Sequence, residues 1–549
     1  MVFLKFLYQI GDEMDCSHRK DSCPDEVSVK TALISVHNKT GIVEFARRLL
    51  SWGIRIISTG GTCQLLEEAN IPVVNVADVT KFPEIMGGRV KTLHPKIYGG
   101  ILGVRDNPQH MMDMRDHGMG AIDLVVANLY PFEESCYKKD DYCAIVENID
   151  IGGPSMIRAA AKNHDYVTVL TNPRDYSLFL DEMDSNNGKV LRGFRKKMAQ
   201  QAFSRTASYD TAICQWLSNS DDEVFPDYLN ITAVKKQEMR YGENPHQKAA
   251  LYSTGEQTCG IVGAQLVQGK QLSYNNINDL DAAFELVSEF NSQDCAACVI
   301  VKHMNPCGVA ISDTLVEAYR QALACDTTSA YGGIVAFNRE VDQEVAREVI
   351  KIFTEAIIAP KISQEAGVVI SEKPKMRFLK TSGLLDPYSG SVVLRKVAGG
   401  LLLQTRDNMM GDQELHVVTK RSPTDQELSD MKFAFKVVKH VKSNAVVYAK
   451  EGRTVGIGSG QTSRVDATRF AAIKAHNLST QIGVQSVTRG SVIASEAFYP
   501  FPDGVLEAVK AGVTAIIQPG GSMRDSEVVA AADQHDIAMV FTGVRHFRH

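Results

Sequence analysis

The sequence has no apolar run long enough to cross a bilayer and no strong excess of either charge. Its longest apolar runs have the length of strands, whereas a membrane-spanning helix needs about 20 consecutive apolar residues. The net charge of -6 over 549 residues lacks the bias that marks binding to nucleic acids or membrane surfaces. We therefore expect a protein that acts neither in a membrane nor on nucleic acid.

The sequence also lacks the cysteine pattern of a disulfide-stabilised protein. Its eleven cysteines are an odd number, and they are scattered without the spacing of a disulfide framework. This usage is typical of reduced thiols and predicts a cytoplasmic location. The apolar fraction of 44% is ordinary for an enzyme, and the length exceeds what one core usually supports, so we expect roughly two to four domains.

The first 28 residues differ from the rest of the chain. Residues 2–10 are apolar, and Asp12, Glu13 and Asp15 follow them. A secretory signal has the opposite order, with positive charge first and a small-residue cleavage site later. We predict that residues 1–28 form a disordered extension; a segment that binds a membrane surface or a partner is the alternative.

Short apolar segments alternate with amphipathic segments along most of the chain. This alternation is typical of βαβ units on a parallel sheet, so the predicted fold class is α/β. Candidate strands of the first half lie at residues 31–36, 54–57, 71–76, 124–127 and 166–170.

A composition break at residues 219–223 places the main domain boundary at 222/223. Residues 322–337 and 508–521 share a faint plan, a helix end followed by Gly-Gly near a strand, which indicates an internal duplication. Beyond the boundary we predict strands at 298–301 and 334–337 and helices at 315–324, 342–357 and 425–441.

Two loops that follow predicted strands have the composition of phosphate-binding loops. Residues 58–62 read Ser-Thr-Gly-Gly-Thr, and residues 37–41 read His-Asn-Lys-Thr-Gly in the equivalent position after the first strand. Glycines let a backbone approach a phosphate, and a helix N-terminus supplies donors. Helix capping explains either loop alone, but two such loops on adjacent βα units, one with Lys39, favour a phosphorylated ligand.

Three further segments of the first half carry polar groups suited to anion binding or proton transfer. Residues 89–95 present three potential donors, residues 128–132 leave a predicted strand, and residues 148–155 precede a helix. Taken singly, Asp150 is explained as a helix cap and Lys162 as part of a solvated helix face.

In the second half, residues 301–308 place a cation beside an imidazole where an apolar run ends. We interpret residues 298–301 as a buried parallel strand and Asn-Pro-Cys-Gly as the turn that leaves it. At the carboxyl end of a strand, Lys302 would stabilise developing negative charge and His303 would accept a proton. A structural or merely exposed Lys-His pair is the alternative.

Ten ordered motifs between residues 30 and 549 resemble one protein family. They are RVKTLHP, NLYPF, ENIDIGGPSMIRAAAKNH, MRYGENPHQ, GKQLSYNNINDLDAA, VKHMNPCG, KSNAVVYA, GIGSGQTSRVDATR, AFYPFPDG and QPGGSMRD. The chain resembles the bifunctional purine biosynthesis proteins, which join phosphoribosylaminoimidazolecarboxamide (AICAR) formyltransferase to IMP cyclohydrolase. The resemblance is closest to bacterial members, down to the basic residues 545–549.

The resemblance implies the last two steps of purine synthesis. Residues 223–549 would transfer a formyl group from 10-formyltetrahydrofolate to the 5-amine of AICAR, and residues 29–222 would close formyl-AICAR to IMP with loss of water. The first domain would be a methylglyoxal-synthase-like three-layer domain with its core at about 30–170, and the second a pair of cytidine-deaminase-like α/β subdomains.

The resemblance also implies the partners of the chain. They are the small molecules AICAR, formyl-AICAR and folate, and a second copy in a homodimer with shared transferase sites. The folate is a cosubstrate, no cofactor is tightly bound, and a structural potassium ion is left open.

For formyl transfer, the resemblance makes His303 the base that takes a proton from a poorly nucleophilic amine, and Lys302 the cation that stabilises the oxyanion. Glu355 departs from the pattern, because other members can carry Asp there. The residues in position to hold AICAR are Arg240, Tyr241, Gly332, Glu355, Asn444 and Arg464. Those in position to line the folate site are Val465, Phe498, Asp503, Ser522, Met523 and Arg545.

Ring closure is intramolecular, so positioning supplies much of its acceleration. The resemblance makes Lys162 the general acid/base, with Asp150 and Tyr130 in a proton relay. It places Lys91 at the oxyanion. The nucleotide would be held by Asn38, Lys39, Thr59, Gly60, Gly61, Thr62, Arg89, Thr92, Asn128 and Ile151. Many members have Ser-Asp-Lys where this chain has His-Asn-Lys, which changes the groups beside the lysine.

Two other functional classes were weighed against these residues. A zinc deaminase needs His-x-Glu and Pro-Cys-x-x-Cys, whereas His303 is followed by Met-Asn and the next Pro-Cys by Gly-Val. Cys295 and Cys298 form a C-x-x-C that leads into a strand, and we interpret them as buried inert thiols, so no metal is expected. A noncatalytic ligand sensor would not need all four of the ring-closure residues.

Overall fold

The computed structural model describes residues 24–132, 136, 141–218, 224–255, 259–409 and 415–549, without the side chains at 481–482. The chain divides into two compact units, Met1–Thr232 and Ala233–His549. The division falls after the predicted boundary at 222/223, because the Gln215 side chain donates to the Asn230 carbonyl over 3.2 Å and holds that segment to the first unit. The composition break at 219–223 lies outside the described residues.

The first unit is built on a sheet with helices on both faces. Its strands are β1 (Glu26–Ser28), β2 (Thr31–Val36), β3 (Arg55–Ser58), β4 (Val74–Asn75), β5 (Leu124–Asn128), β6 (Thr168–Leu170) and β7 (Lys189–Leu191). Its helices are α1 (Ile42–Ser51), α2 (Gly60–Glu68), α3 (Val76–Thr80), α4 (Pro95–Leu102), α5 (Pro108–Asp116), α6 (Tyr142–Glu147), α7 (Gly152–Lys162), α8 (Asp175–Ser185) and α9 (Arg192–Ser218), with a 3-10 turn at Met86–Gly88.

Five of these strands form a parallel sheet in the order β4-β3-β2-β5-β6. Alternate residues of a strand face opposite sides, and here they feed two separate cores. Leu33 and Val125 pack on the side of α4, α7 and α9, whereas Ile34 and Val126 pack on the side of α1 and α8. The predicted three-layer α/β arrangement is therefore present.

The predicted disordered extension is wrong for its last residues. Strand β1 pairs antiparallel with β7, and the buried Arg195 guanidinium donates to the carbonyl of Pro24 over 2.6 Å and to that of Asp165 over 2.9 Å. These bonds fix the start of the described chain. The rest of the prediction, at residues 1–23, lies outside the described residues.

The second unit holds the longer sheet. Its strands are β8 (Val234–Met239), β9 (Ala249–Ser253), β10 (Gln265–Gln268), β11 (Ala296–Lys302), β12 (Asn305–Ser312), β13 (Ile334–Phe337), β14 (Ala356–Ala359), β15 (Arg377–Lys380), β16 (Val392–Val397), β17 (Gly400–Thr405), β18 (His416–Val417), β19 (Val446–Lys450), β20 (Arg453–Gly458), β21 (Val492–Ser495), β22 (Ala515–Gln518) and β23 (Ala538–Phe541). Its helices are α10 (Tyr274–Val287), α11 (Leu315–Cys325), α12 (Thr327–Ala330), α13 (Gln343–Val349), α14 (Gln364–Ser371), α15 (Asp425–Val438), α16 (Arg464–Ile482), α17 (Asp503–Ala511) and α18 (Asp525–Gln534), with a 3-10 turn at Ile261–Gly263.

The long sheet consists of two halves with the same plan. In the described residues its order is β10-β15-β14-β13-β11-β12 followed by β20-β19-β21-β22-β23-β18. Each half has a central hairpin (β11–β12 or β19–β20), three parallel strands and an antiparallel edge strand. The halves meet where β12 pairs with β20 at Ala310 and Arg453.

This repeat corrects the predicted duplication. In the two halves of the sheet, β13 is equivalent to β21. The segments before these strands also correspond, since Gly332 and Gly490 both have positive φ, 75° and 73°. The predicted pair, 322–337 with 508–521, instead matches β13 with β22. The Gly-Gly dipeptides that suggested the duplication are not equivalent positions.

Two further predictions need correction. Strand β11 is not parallel, because it pairs antiparallel with both β12 and β13. The residues that turn out of it are His303 and Met304, and the predicted turn Asn-Pro-Cys-Gly begins β12. The predicted helix at 342–357 ends at Val349, and β14 starts at Ala356.

Candidate active sites

The first unit has a cavity of about 670 Å³ at the carboxyl ends of β2, β3 and β5. This edge is where open α/β sheets place their ligands. The cavity is lined by Ser35, Val36, His37, Lys39, Thr59, Gly60, Gly61, Thr62, Gly87, Gly88, Arg89, Lys91, Thr92, Asn128, Tyr130, Val146, Glu147, Ile149, Asp150, Ile151, Gly152, Gly153 and Met156.

The N-terminus of α2 and Lys39 form one wall of this cavity. The Lys39 ammonium donates to the Thr62 hydroxyl over 2.6 Å and to the Val36 carbonyl. Burial, with help from the charge of Lys91, lowers the pKa of Lys39. A helix N-terminus and two nearby cations make this wall suited to a phosphate.

Asn128, at the end of β5, fixes the loop after β2. Its side-chain oxygen accepts from the backbone amides of His37 over 2.7 Å and Asn38 over 2.8 Å, and its amide donates to the Asn38 carbonyl over 3.1 Å. Asn38 therefore shapes the loop without lining the cavity, in contrast to the other nine residues predicted to hold the nucleotide.

The Lys91 side chain lies over Gly60 and Gly88. Its Nζ is 3.7 Å from the position of a Cβ at Gly60 and 3.7 Å from one at Gly88. It is also 3.9 Å from Glu84 Oε1. Arg89, on the exposed rim, pairs with Glu147. Lys91 therefore places a cation in the cavity wall, a group of the kind that stabilises an oxyanion.

Asp150 is half-buried at the start of α7. Its Oδ1 accepts from the backbone amide of Gly153 over 2.8 Å, and its own amide donates to the Tyr209 hydroxyl over 2.8 Å. A Cβ at position 153 would lie 2.3 Å from Asp150 Oδ2, so only glycine fits there. Burial raises the pKa of Asp150 against the opposing effects of its hydrogen bonds and of Lys91, as suits a proton carrier.

The structure does not bring Lys162 to this cavity. Lys162 is exposed in the last turn of α7, whereas Gly152, Gly153 and Met156 of the same helix line the cavity. At 1.5 Å per residue, Lys162 lies about 9 Å along the helix beyond Met156. Its assignment as general acid/base stays a prediction.

The cavity also contains residues that the sequence did not single out. The His37 ring packs edge-on against Tyr130, with centroids 5.3 Å apart at 88°, and Glu147 adds a carboxylate to the rim. His37 has no predicted role of its own, although it belongs to the loop at 37–41 and to the departure from the family pattern. Its position one residue after β2 was the available signal.

The second unit has a cavity of about 400 Å³ beside the β11–β12 turn. It is lined by Lys302, His303, Asn305, Pro306, Cys307, Cys325, Asp326, Ser329, Ile457, Ser459, Phe470 and Lys474. The predicted catalytic pair therefore faces one common space.

Backbone geometry holds this pair in place. His303 and Met304 have φ values of 54° and 62°, the pattern of a two-residue type I′ hairpin turn. The Met304 amide donates to Asp279 Oδ1 over 2.7 Å. The Lys302 ammonium donates to the Tyr331 carbonyl over 2.9 Å, so it stands beside the turn rather than free in solvent.

The opposite wall of this cavity was not predicted. The Lys474 ammonium lies 2.6 Å from Asp326 Oδ2 and 3.3 Å from the Ser329 hydroxyl. Burial raises the pKa of Cys307 and of Cys325 to about 12. These two thiols are protonated at neutral pH and are not nucleophiles.

The two thiols of the C-x-x-C motif, Cys295 and Cys298, also have raised pKa values. Burial raises the pKa of Cys295 and, more strongly, that of Cys298, as expected for inert thiols. Within the part of the chain that the structure describes, no group of three His, Cys, Asp or Glu side chains is arranged to hold a metal ion.

The predicted AICAR residues fall into three groups in the second unit. Gly332 directly follows Tyr331, whose carbonyl accepts from Lys302, and the Glu355 amide donates to the Gly333 carbonyl over 3.0 Å. Asn444 and Arg464 are in contact over 3.0 Å. Arg240 donates to the Tyr241 hydroxyl over 3.1 Å on a separate segment after β8. None of these six lines the cavity of Lys302 and His303.

The predicted folate residues lie on exposed or half-buried segments of the second half. Val465 and Phe498 are half-buried, and Asp503, Met523 and Arg545 are exposed. Ser522 is half-buried beside Met523, and the Arg545 guanidinium lies 4.4 Å from the Phe547 ring centroid. In this chain they do not line a common cavity with the catalytic pair.

Comparison with known proteins assigns the chain to a family. A family model described as AICARFT/IMPCHase bienzyme matches residues 160–474, and one described as MGS-like domain matches residues 41–155. The bifunctional purine biosynthesis proteins PurH of Sinorhizobium medicae (strain WSM419) and Rhizobium meliloti (strain 1021) are each 59% identical to it over 538 residues, 98% of this chain and 100% of theirs. PurH of Rhizobium rhizogenes (strain K84 / ATCC BAA-868) is 57% identical over 533 residues, 97% of this chain and 99% of its own.

The predicted family and two-part fold are thus confirmed. The MGS-like match falls on the unit with the parallel sheet, and the bienzyme match reaches the helix that carries Lys474. None of the helices in the described ranges has the length and hydrophobicity to cross a bilayer. The chain belongs to the PurH family of bifunctional enzymes, which combine AICAR formyltransferase with IMP cyclohydrolase.

Proposed function

We propose that the two family reactions are divided between the two cavities, with ring closure in the first unit and formyl transfer at the β11–β12 turn. The observation that carries this proposal is that each unit has its own cavity with a lysine beside a proton-transfer group. These are Lys91 with Asp150 in one, and Lys302 with His303 in the other.

In the first cavity, the nucleotide phosphate binds the N-terminus of α2 with Lys39 and Thr62. The carboxamide nitrogen attacks the formyl carbon, and Lys91 stabilises the oxygen that becomes negative. Two protons reach that oxygen, one from the carboxamide nitrogen and one from the formamido nitrogen as its C=N bond forms. Asp150, with its raised pKa, carries them so that water departs, and Tyr130 packs against His37. Lys162 is outside this cavity, and the variant Lys162→Ala tests its predicted role.

In the second cavity, the AICAR amine attacks the formyl carbon of 10-formyltetrahydrofolate. His303 accepts the amine proton as the carbon–nitrogen bond forms, and Lys302 stabilises the tetrahedral oxyanion. The bond to the folate nitrogen then breaks, and that nitrogen leaves with a proton. This route needs no tightly bound cofactor, and a potassium ion would be structural.

We further propose that the chain works as a cytoplasmic homodimer with shared transferase sites. The hairpin β16–β17 supports this, because Val392, Leu401 and Leu402 are 47%, 49% and 59% exposed. A second copy that covers this hairpin would remove apolar surface from water. Sedimentation analysis of Leu402→Glu tests it: a shift to monomer is expected, and an unchanged dimer would argue for another interface.

The assignment of function is tested by product analysis. Purified protein is mixed with AICAR and 10-formyltetrahydrofolate, and the products are separated by liquid chromatography. IMP formed well above the rate of spontaneous cyclisation supports both sites. Formyl-AICAR alone would leave a transferase with a regulatory first unit, and unchanged AICAR would contradict the proposal.

A further inference from the structure

The C-terminal tail, residues 545–549, is hydrogen-bonded to the loop that carries Asn444. The Ser443 amide donates to the Arg548 carbonyl over 2.8 Å, and the Arg548 amide donates to the Ser443 hydroxyl over 3.1 Å. The tail therefore fixes the residue that directly precedes Asn444.

The same tail also reaches the support of Arg464. Glu496 is buried and forms an ion pair with the Arg464 guanidinium, and it accepts from the Ala445 amide over 2.9 Å. The His546 amide donates to the Glu496 carbonyl over 2.9 Å. Arg464 in turn donates to Asn444 Oδ1 over 3.0 Å. Both sides of the Asn444–Arg464 pair are thus tied to the tail.

The Arg548 side chain anchors the tail to α10 and to the end of α15. Its guanidinium lies 2.8 Å from Glu285 Oε2 and 3.2 Å from His440 Nδ1. Although burial opposes it, the charge of Arg548 holds the pKa of Glu285 below its usual range. An arginine that contacts a carboxylate and an imidazole together resists displacement more than a surface ion pair does.

The imidazole has a defined role in this anchor. Burial lowers the pKa of His440, so the ring is neutral at neutral pH. Since arginine only donates, Nδ1 is the acceptor and Nε2–H donates to Glu289 Oε1 over 2.8 Å. Glu289 also pairs with Lys439 over 2.9 Å. The tail is therefore attached to a buried ionic network.

We propose that Arg548 is a positioning residue for the AICAR site of the transferase. Through the tail it sets Ser443 and Glu496, and through them the geometry of Asn444 and Arg464. The inference rests on the proposed roles of Asn444 and Arg464 in holding AICAR. Arg548 itself need not touch the substrate.

The test compares full-length Arg548→Ala and Arg548→Lys with Arg469→Ala as a matched control. Arg469 is exposed on α16 and forms ion pairs with Glu507 over 3.2 Å and with Asp466 over 3.5 Å. We expect Arg548→Ala to raise KM for AICAR about tenfold, the loss of about one well-placed contact. Ring closure of added formyl-AICAR and kcat stay unchanged, whereas KM for 10-formyltetrahydrofolate also rises, because the same tail carries Arg545, which is predicted to line the folate site. Arg548→Lys recovers part of the loss, and Arg469→Ala changes neither KM.

The outcomes separate positioning from simple stabilisation. A lower melting temperature with an unchanged KM for AICAR would overturn the inference, since the tail would then only stabilise the fold. If Arg548→Ala does not fold, Glu285→Gln weakens the same anchor without loss of volume, and an unchanged KM in that variant overturns the inference equally. A wild-type enzyme that forms no formyl-AICAR would instead contradict the proposed function.

Discussion

The two halves of the long sheet share a backbone plan but place different chemistry on it. Lys302 and Lys450 each end the first strand of a hairpin, and they donate to equivalent carbonyls, of Tyr331 over 2.9 Å and of Arg489 over 3.1 Å. The next residue is His303 in the first half and Glu451 in the second. Both have positive φ, 54° and 53°.

The supports of the two turns match as well. Asp279 accepts from the turn amide of Met304 over 2.7 Å, and Asp430 accepts from that of Gly452 over 2.8 Å. Both aspartates are the sixth residue of their helices, α10 and α15. The fold therefore builds the same lysine-bearing turn twice, and only one of them adds a histidine. An imidazole in place of a carboxylate is what distinguishes the two turns.

Among variants of the two turns, substitution of His303 should have the largest effect on the rate of formyl transfer. His303→Ala should lower formyl transfer about 10³-fold, because a positioned general base contributes roughly 10²–10⁴. Ring closure of added formyl-AICAR should not change. Steady-state rates for the two half-reactions measure this directly.

Glu451→Ala is the matched control for that variant. It alters the same turn position in the other half and should leave formyl transfer within about twofold of wild type. Loss of both reactions in folded His303→Ala, or a large loss in Glu451→Ala, would contradict the assignment of one chemical turn and one structural turn.

The next largest difference in the rate of formyl transfer is expected between variants of Lys302 and Lys450. Lys302→Ala should reduce formyl transfer about 10²-fold, as removal of an oxyanion donor typically does. Lys450→Ala has the same backbone contact but no histidine beside it, and it should have little effect on rate. Equal losses in the two variants would indicate that both lysines only brace their turns.

Part of this arrangement could be predicted from sequence. The loops at 37–41 and 58–62 follow parallel strands, and the carboxyl ends of such strands lie at one edge, so their meeting in one cavity follows from local pattern. Lys162 does not line that cavity, because it lies six residues beyond Met156, the last residue of this helix in the cavity wall.

The second unit was harder to predict for a different physical reason. A run of apolar residues marks β11 as buried, but burial is the same whether its neighbours are parallel or antiparallel. The turn at His303 and Met304 needs positive φ from residues that rarely adopt it, so the sequence pattern predicts a turn at Asn-Pro-Cys-Gly instead. Glu496 and Arg548, which hold the Asn444 loop, meet only through the fold.

Substitutions of the glycines where helices pack against the two hairpins should affect stability rather than catalysis. A Cβ at Gly308 would lie 1.9 Å from the Ala322 carbonyl oxygen, and one at the equivalent Gly456 would lie 2.4 Å from that of Ala471. Gly308→Ala and Gly456→Ala should each lower the free energy of unfolding by about 2 kcal/mol, because α11 or α16 must move. Denaturant unfolding measures both.

Gly367→Ala controls for the loss of glycine itself. It lies in α14 with nothing within 4 Å of its added Cβ, and it should stabilise by about 0.5–1 kcal/mol. If Gly308→Ala destabilised and Gly456→Ala did not, the two helices would not be equivalent, and the repeat would be limited to the sheet.

The smallest expected difference lies at the start of the paired helices α10 and α15. Ser273 and Asn276 cap α10, whereas Thr424 and Glu427 cap α15, and Arg421 holds the Glu427 carboxylate through two bonds of 2.9 Å. Burial opposes ionisation, but these bonds lower the pKa of Glu427 to about 2. A pKa that folding depresses gives stability that is present above about pH 4.5 and is lost as the pH falls towards 2.

Glu427→Gln should therefore cost about 1 kcal/mol at pH 7 and progressively less in acid, whereas Ser273→Ala should cost about 1 kcal/mol at every pH. Unfolding curves at pH 7 and pH 3 compare the two caps, and a pH-independent cost for Glu427→Gln would show that the charge of this cap contributes nothing to the difference between the halves.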